Sequence, residues 1–241
     1  MLHFGKILIL GGILVYGFSV FAQSAAKGKD ASQSTTPTFS ASGSAVLTSH
    51  FIHHGLSMSN KNPALNAHIL LNMGSQFKLG FWGSNIRNIT NADDNFWIQY
   101  QGVVVIDFSN NVKTQLTAAD NRYYTSQQRN GQLLAAQFDI KGKYVLLLEM
   151  NNNFEGTSES SQYISGGYLY KWKGPWLAAG SVGYTLQKAV GVNNYLDTRI
   201  EGIYQPLPKM KFKLGLTGTS DSGQLSGRGA FTYFFAGDFE F

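Results

Sequence analysis

The sequence predicts an all-β fold: a transmembrane, antiparallel, up-and-down β-barrel of about twelve strands, preceded by a cleaved signal peptide. Three observations carry this. Long stretches alternate with period 2, one row aliphatic or aromatic and the other polar. Short and long connections alternate along the chain. Charged residues make up 14% of the sequence, and aromatic residues also 14%. Soluble domains average about 25% charged residues.

The first segment is distinct from the rest. Lys6 precedes an apolar run over 7–21, and Val20-Phe21-Ala22 offers a cleavage site. Residues 1–22 are therefore expected to be a signal peptide, cut after Ala22. The run is short for a membrane anchor, and polar residues follow it. Residues 23–38, mostly Ser, Ala, Thr, Gln and Lys, read as a flexible periplasmic lead-in. The barrel is expected over 39–241. No later stretch is apolar for long enough to form a transmembrane helix. The chain has no cysteine, which excludes disulfides, thiolate metal sites and thiol catalysis. The net charge is +5, one unit of it from Lys6, and the remaining lysines are scattered, which argues against a nucleic-acid partner.

Several strands are clean. In the last, Phe231, Tyr233, Phe235, Gly237, Phe239 and Phe241 form one row, and Thr232, Phe234, Ala236, Asp238 and Glu240 the other. Met210, Phe212, Leu214 and Leu216 alternate with Lys211, Lys213, Gly215 and Thr217. Phe96, Ile98 and Tyr100 alternate with Trp97, Gln99 and Gln101, and Trp176 opens a similar strand. The weakest alternation lies over 65–73 and 133–140. Short turns are expected at 74–75, 109–111, 141–143, 173–174 and 206–209. Longer loops are expected at 55–63, 86–95, 121–131, 151–161, 188–194 and 219–228. Tight turns at one mouth and longer loops at the other are a membrane-barrel pattern. Two aromatic belts agree with it: Phe77, Phe108, Tyr144, Trp172, Trp176, Tyr204, Phe212 and Phe239 beside the turns, and Phe51, Phe96, Tyr100, Tyr163, Tyr184 and Tyr195 beside the loops.

Strand parity assigns candidate pore-lining residues. These are Gln99, Gln101 and Asp107, then Glu149, then Asp197, Arg199 and Glu201, and finally Lys211 and Lys213. Thr114, Asp120, Gln137 and Asp139 are placed inward by the same rule. Mixed signs suit a weakly selective channel or a network of cross-lumen pairs. A twelve-stranded barrel has a backbone radius of roughly 12 Å, between filled eight-stranded and open sixteen-stranded barrels. An open bore is the expectation, and a bore closed by side chains is the alternative.

His50, His53 and His54 carry imidazoles that suit zinc or copper. In an extended strand His53 and His54 point to opposite faces, so polar corner residues are expected and no metal site or cofactor. Asp93, Asp94 and Asp221 read as solvated loop acids. A lipid-hydrolysing barrel would need a serine beside a histidine base. No His-x-Ser pair and no Gly-x-Ser-x-Gly elbow occurs, His54 and Ser57 are three apart in a loop, and His68 sits on an inward row. The chain is not expected to be an enzyme.

The stretch Val46-Leu47-Thr48-Ser49-His50-Phe51-Ile52-His53-His54-Gly55-Leu56-Ser57-Met58-Ser59, followed by Pro63-Ala64-Leu65, resembles the opening of the TorF-type porin family of Gram-negative bacteria. Gly80-Phe81-Trp82-Gly83-Ser84-Asn85 is similar to that family's Gly-x-Trp-x-Ser-Asn strand. The chain departs from the family at His54, where relatives carry Arg, at His53, where they carry Phe, and at His50-Phe51, where they carry Asp-Tyr. The resemblance implies the bacterial outer membrane, with its lipid and lipopolysaccharide as surroundings. The final aromatic residues, Phe239 and Phe241, look like the assembly signal read by the barrel-assembly machinery. The function expected is passive diffusion of small hydrophilic solutes or ions. The alternatives are a closed structural or adhesive barrel acting through its external loops and, less favoured, a lipid hydrolase.

Overall fold

The structure is a computed structural model and describes residues 39–87, 95–125, 127–221, 223 and 226–241. The expected signal peptide and lead-in, and Asp93 and Asp94, lie outside the described residues. β1 (Phe39–Thr48) is followed by a small hairpin of β2 (Ile52–His53) and β3 (Leu56–Ser57). Then come β4 (Ala64–Met73), β5 (Phe77–Asn85), β6 (Phe96–Ser109), β7 (Val112–Tyr123), β8 (Gly131–Ile140), β9 (Tyr144–Asn151), β10 (Ser161–Lys171), β11 (Trp176–Gln187), β12 (Tyr195–Leu207), β13 (Met210–Thr219) and β14 (Thr232–Glu240). β1 and β4–β14 form one closed antiparallel barrel of twelve strands, and β2–β3 pair only with each other. The expected closed antiparallel barrel of about twelve strands is the observed architecture.

Closure occurs where β1 meets β14, with Ser44 opposite Glu240 and Thr48 opposite Ala236. Beyond the strand, Phe241 exchanges backbone hydrogen bonds with Gly43 at 3.2 and 3.0 Å. A Cβ on Gly43 would stand 2.4 Å from the Phe241 ring and 2.6 Å from the His68 carbonyl oxygen. Glycine is thus what lets the terminal ring lie flat on the seam. Closure removes every edge from the barrel strands and satisfies their backbone without water, the condition for crossing hydrocarbon.

The walls sort side chains as the period predicts. Leu65, Ile69 and Leu71 on β4, Phe77, Leu79 and Phe81 on β5, Leu214 and Leu216 on β13, and Tyr233, Phe235 and Phe239 on β14 point outward and are exposed. An apolar surface that encircles the molecule is at home in lipid, not in water. The tight connections are 74–76, 110–111, 141–143, 172–175 and 208–209, all at one mouth. Lys141 and Gly142 have φ of 57° and 61°, the left-handed pair that matches hairpin twist. The long connections, 49–63 among them, are at the other mouth.

Two inward assignments are corrected. On β7 the register sets Thr114 between Ile106 and Phe138, and Asp120 between Tyr100 and Gln132, all on the outward row. Both rows of β7 mix polar and small residues, so polarity alone misreads its parity. Asp120 lies near the loop end and is bonded by Arg122 Nε at 2.7 Å. The expected loop-side belt is corrected too, because Phe51 and Tyr195 are 2% and 1% exposed and Tyr163 lies on the inward row.

Candidate functional site

The bore runs along the inward rows. Gln99 and Gln101 on β6, Glu149 on β9, Asp197, Arg199 and Glu201 on β12, and Lys211 and Lys213 on β13 all lie there. Asp107 is on the same row at the turn end of β6, 4.0 Å from Lys113 and open to solvent. Gln137 and Asp139 are inward on β8.

In the middle bore, ion pairs run along the β12–β14 wall. Arg199 bonds Glu201 two residues on, at 2.6 Å. Lys213 Nζ reaches Asp238 Oδ2 at 3.1 Å, and Lys211 pairs with Glu240, both between β13 and β14. The Arg199 guanidinium lies 4.2 Å over the Phe234 ring. The facing wall combines Lys78, on the inward row of β5, with a neutral hydrogen-bonded network. Asn121 Oδ1 accepts from Trp97 Nε1 at 3.1 Å and from Gln99 Nε2 at 2.8 Å, and Gln101 meets His68. Gln99, Glu201 and Asp238 are at most 2% exposed, so the side chains crowd the lumen. A cavity of about 80 Å³ remains between Ser44, Thr48, His50, His68, Arg199 and Lys213. Gln99 Oε1, Gln101 Oε1, Asp197 Oδ2, Glu201 Oε1 and Thr217 Oγ1 have no hydrogen-bond partner among the described residues. Each such buried oxygen costs about 1–3 kcal/mol unless it is hydrated.

The first long connection folds inward. Phe51 packs on Trp82 and Trp97 with ring centroids 5.3 and 5.9 Å away, and these two tryptophans meet edge to face at 5.0 Å. Met58 N donates to Phe51 O at 2.7 Å, which closes the base of the hairpin. At its tip His54 has φ of 47° and Gly55 of 74°. A Cβ on Gly55 would stand 2.5 Å from Asp197 Cβ and 2.7 Å from Thr219 Cγ2, so only glycine seats the tip against β12 and β13. The curl overturns the expectation that His53 and His54 diverge. Their rings stack at 3.8 Å, His54 stacks on Tyr163 at 3.7 Å, and His54 Nε2 is 3.2 Å from Glu149 Oε1. Burial first, then His54, pushes the His53 imidazole well below its ordinary pKa, so it is neutral at pH 7. The hairpin is a strap across the loop-end mouth.

Above the strap the long connections make a core of their own. Phe51, Leu56, Met58, Ile86, Phe154 and Ala189 pack with Trp82, Trp97 and Tyr195 into one buried cluster. A polar clasp joins three loops. Glu155 Oε2 accepts from Arg129 Nη2 at 2.8 Å and from Arg228 Nη1 at 3.1 Å. Burial raises the Glu155 pKa, but the two guanidiniums outweigh it and hold the carboxyl down at about 2. Arg228 also ties the strap, since its carbonyl accepts from Ser57 N at 2.9 Å. Of these residues sequence reasoning missed Leu56, Met58, Phe154, Arg129, Glu155 and Arg228. The apolar trio Phe51, Leu56 and Met58 inside a polar connection was the one available sign.

No protein-family model matches the chain, and no curated protein matches it. Solved structures do. The KdgM porin in complex with disordered oligogalacturonate is 8% identical with a TM-score of 0.53, over 85% of this chain and 99% of that one. A second KdgM porin structure gives 9% identity and a TM-score of 0.54, over 83% and 99%. A third, from a study of the in-meso crystallisation of membrane proteins, gives 7% and 0.56, over 83% of each chain. At such identities the likeness is one of fold, the closed barrel that the porins share.

Proposed function

We propose that this barrel is a porin-like channel of the bacterial outer membrane, passing small hydrophilic solutes or ions by passive diffusion. The observation that carries the reading is the combination of an apolar outer wall with an inward row whose buried oxygens lack protein partners. A dry core would pair those oxygens, whereas a wetted bore hydrates them. The KdgM neighbour was solved with oligogalacturonate. In this chain Arg199, Lys211 and Lys213 each face a carboxylate, so weak ion selectivity is the better reading than capture of a polyanion. The surroundings proposed are outer-membrane lipid and lipopolysaccharide. The barrel-assembly machinery would read the strand end at Phe239 and Phe241. Membership of the TorF-type family, on the 46–59 stretch, belongs to the same proposal, as does the absence of an enzymatic role.

A second reading is favoured by the apolar cluster over the strap: a closed barrel that acts through its long loops. Single-channel recording of the refolded protein in a planar bilayer separates the two. Discrete, reproducible steps support the channel. Silence from protein that is folded and inserted supports the closed barrel.

A further inference from the structure

The curled tip of the strap brings together a donor set that conduction does not require. His53 and His54 are adjacent in sequence, yet the left-handed turn at His54 sets both rings on one side. Glu149 comes to meet them from β9, and its side chain is only 3% exposed. One ligand atom from each of the three residues falls within 4.8 Å of the other two. We propose that His53, His54 and Glu149 form a site for one divalent transition-metal ion of the zinc, copper or nickel class, which pins the strap to the β9 wall.

The donor chemistry selects the ion. Two imidazole nitrogens and one carboxylate oxygen suit zinc or copper, whereas calcium takes six or more oxygens and magnesium keeps much of its water. Two ligands on one tetrahedral ion, each about 2.0–2.1 Å from the metal, sit about 3.4 Å apart. His54 Nε2 and Glu149 Oε1 are already 3.2 Å apart, and the third donor lies within 4.8 Å of both residues' donors. A simple His54–Glu149 ion pair is the competing account. It uses one imidazole and presses a cation face to face against the other. A single dication engages both rings and offsets Glu149. It also gains from Asp197, whose buried Oδ2 lacks a protein partner and whose side chain touches the strap tip at Gly55. Three protein ligands leave a coordination position for water.

The site stands on the geometry of the strap and not on conduction, so binding is measured apart from current. Untagged full-length barrel, refolded in detergent, is titrated with Cu(II) and Zn(II) by equilibrium dialysis, and the Cu(II) form is examined by EPR. The expected result is one equivalent bound, hyperfine coupling to two imidazole nitrogens, and at least tenfold weaker binding in His53→Asn, His54→Asn and Glu149→Gln. Because the chain has no cysteine, His54→Cys should introduce a thiolate-to-Co(II) charge-transfer band found nowhere in the parent. Binding that is non-stoichiometric, coupling to fewer than two nitrogens, or affinity unchanged in the three variants would overturn the site and assign the metal to His50, His68 or the lumen acids. The EPR count is made on the parent, so it decides even where a variant fails to fold. Metal bound to a silent barrel would support the site while counting against the channel.

Discussion

The loop-end mouth and the bore beneath it are built on opposite plans. At the mouth Phe51, Leu56 and Trp97 are almost fully buried inside the barrel outline, in a cluster of the sort that holds a soluble domain together. A few residues down, the inward positions are Gln99, Gln101, Glu201, Lys211 and Lys213, paired along the wall and equally hidden. Apolar packing fixes one shape and excludes water, whereas a polar lattice with unsatisfied oxygens needs water to be stable. One barrel wall thus supports a cap that can be removed and a bore whose water cannot. The strap belongs to both, with Phe51 in the cap and its histidine tip over the polar lattice.

The largest expected effect tests whether the cap is separable. Phe51→Ala removes a buried ring, for which about 3–5 kcal/mol is typical. The loss should fall on the cap and on the Trp82 and Trp97 side chains it packs against, and not on the barrel ladder, whose hydrogen bonds do not involve Phe51. Limited proteolysis should cut the long connections while the folded band on unheated gels persists, and conductance should rise several-fold. If the barrel unfolds with the cap, the two regions form one unit and the comparison fails.

The bore is probed next through its best-buried pair. Lys213→Gln removes one cation from the Asp238 carboxylate, whose side chain is 0% exposed and which Lys211 faces in register. Breaking such a pair in a dry interior costs about 3–5 kcal/mol. A polar, hydrated bore should reduce that to about 1–2 kcal/mol. Reversal potential in a salt gradient should move toward cation selectivity, and the Lys213→Gln/Asp238→Asn double variant should return most of the way. An unmoved potential would take Lys213 off the conduction path.

A change at the seam serves as the control for both. Phe241→Asp sets a charge beside Gly43 on the outer face of the wall, at the turn end of the barrel and away from the cap. It should lower the yield of assembled barrel several-fold while leaving the conductance of the assembled fraction unchanged. Normal yield would count against Phe241 as an assembly signal.

The bore was legible in the sequence and the cap was not, for a physical reason. A strand writes its two faces into the chain with period 2, so Gln99, Glu201 and Lys213 could be placed from neighbours two residues away. Where a strand is small or polar on both rows the rule loses its contrast, and Thr114 and Asp120 were misplaced for that reason. A loop has no period. The meeting of Arg129, Glu155 and Arg228 depends on three connections converging in space, and no local pattern marks any of them. His53 and His54 looked divergent because an extended backbone was assumed. A single left-handed residue reversed that.

The smallest effect lies in the clasp, where pH distinguishes an electrostatic tie from apolar packing. Glu155 has its carboxyl held at about 2, against an ordinary 4.5. A depressed carboxylate contributes stability that is complete above the unfolded value and is lost as pH falls from 4.5 toward 2. The clasp should therefore hold unchanged from pH 7 to 5 and weaken only below about 4.5. A fifth of the Glu155 side chain is exposed, which limits its worth to about 1–2 kcal/mol. Hydrogen exchange at the amides of 152–160 should stay slow to pH 5, after correction for the intrinsic rate, and rise below pH 4. In Arg228→Ala the rise should begin at higher pH, because Glu155 then has one guanidinium instead of two. The apolar cluster has no such dependence, so protection of Leu56 and Met58 should persist through the same range. If both sets of amides open together, the clasp is what holds the packed cap in place, and the mouth is governed by charge after all.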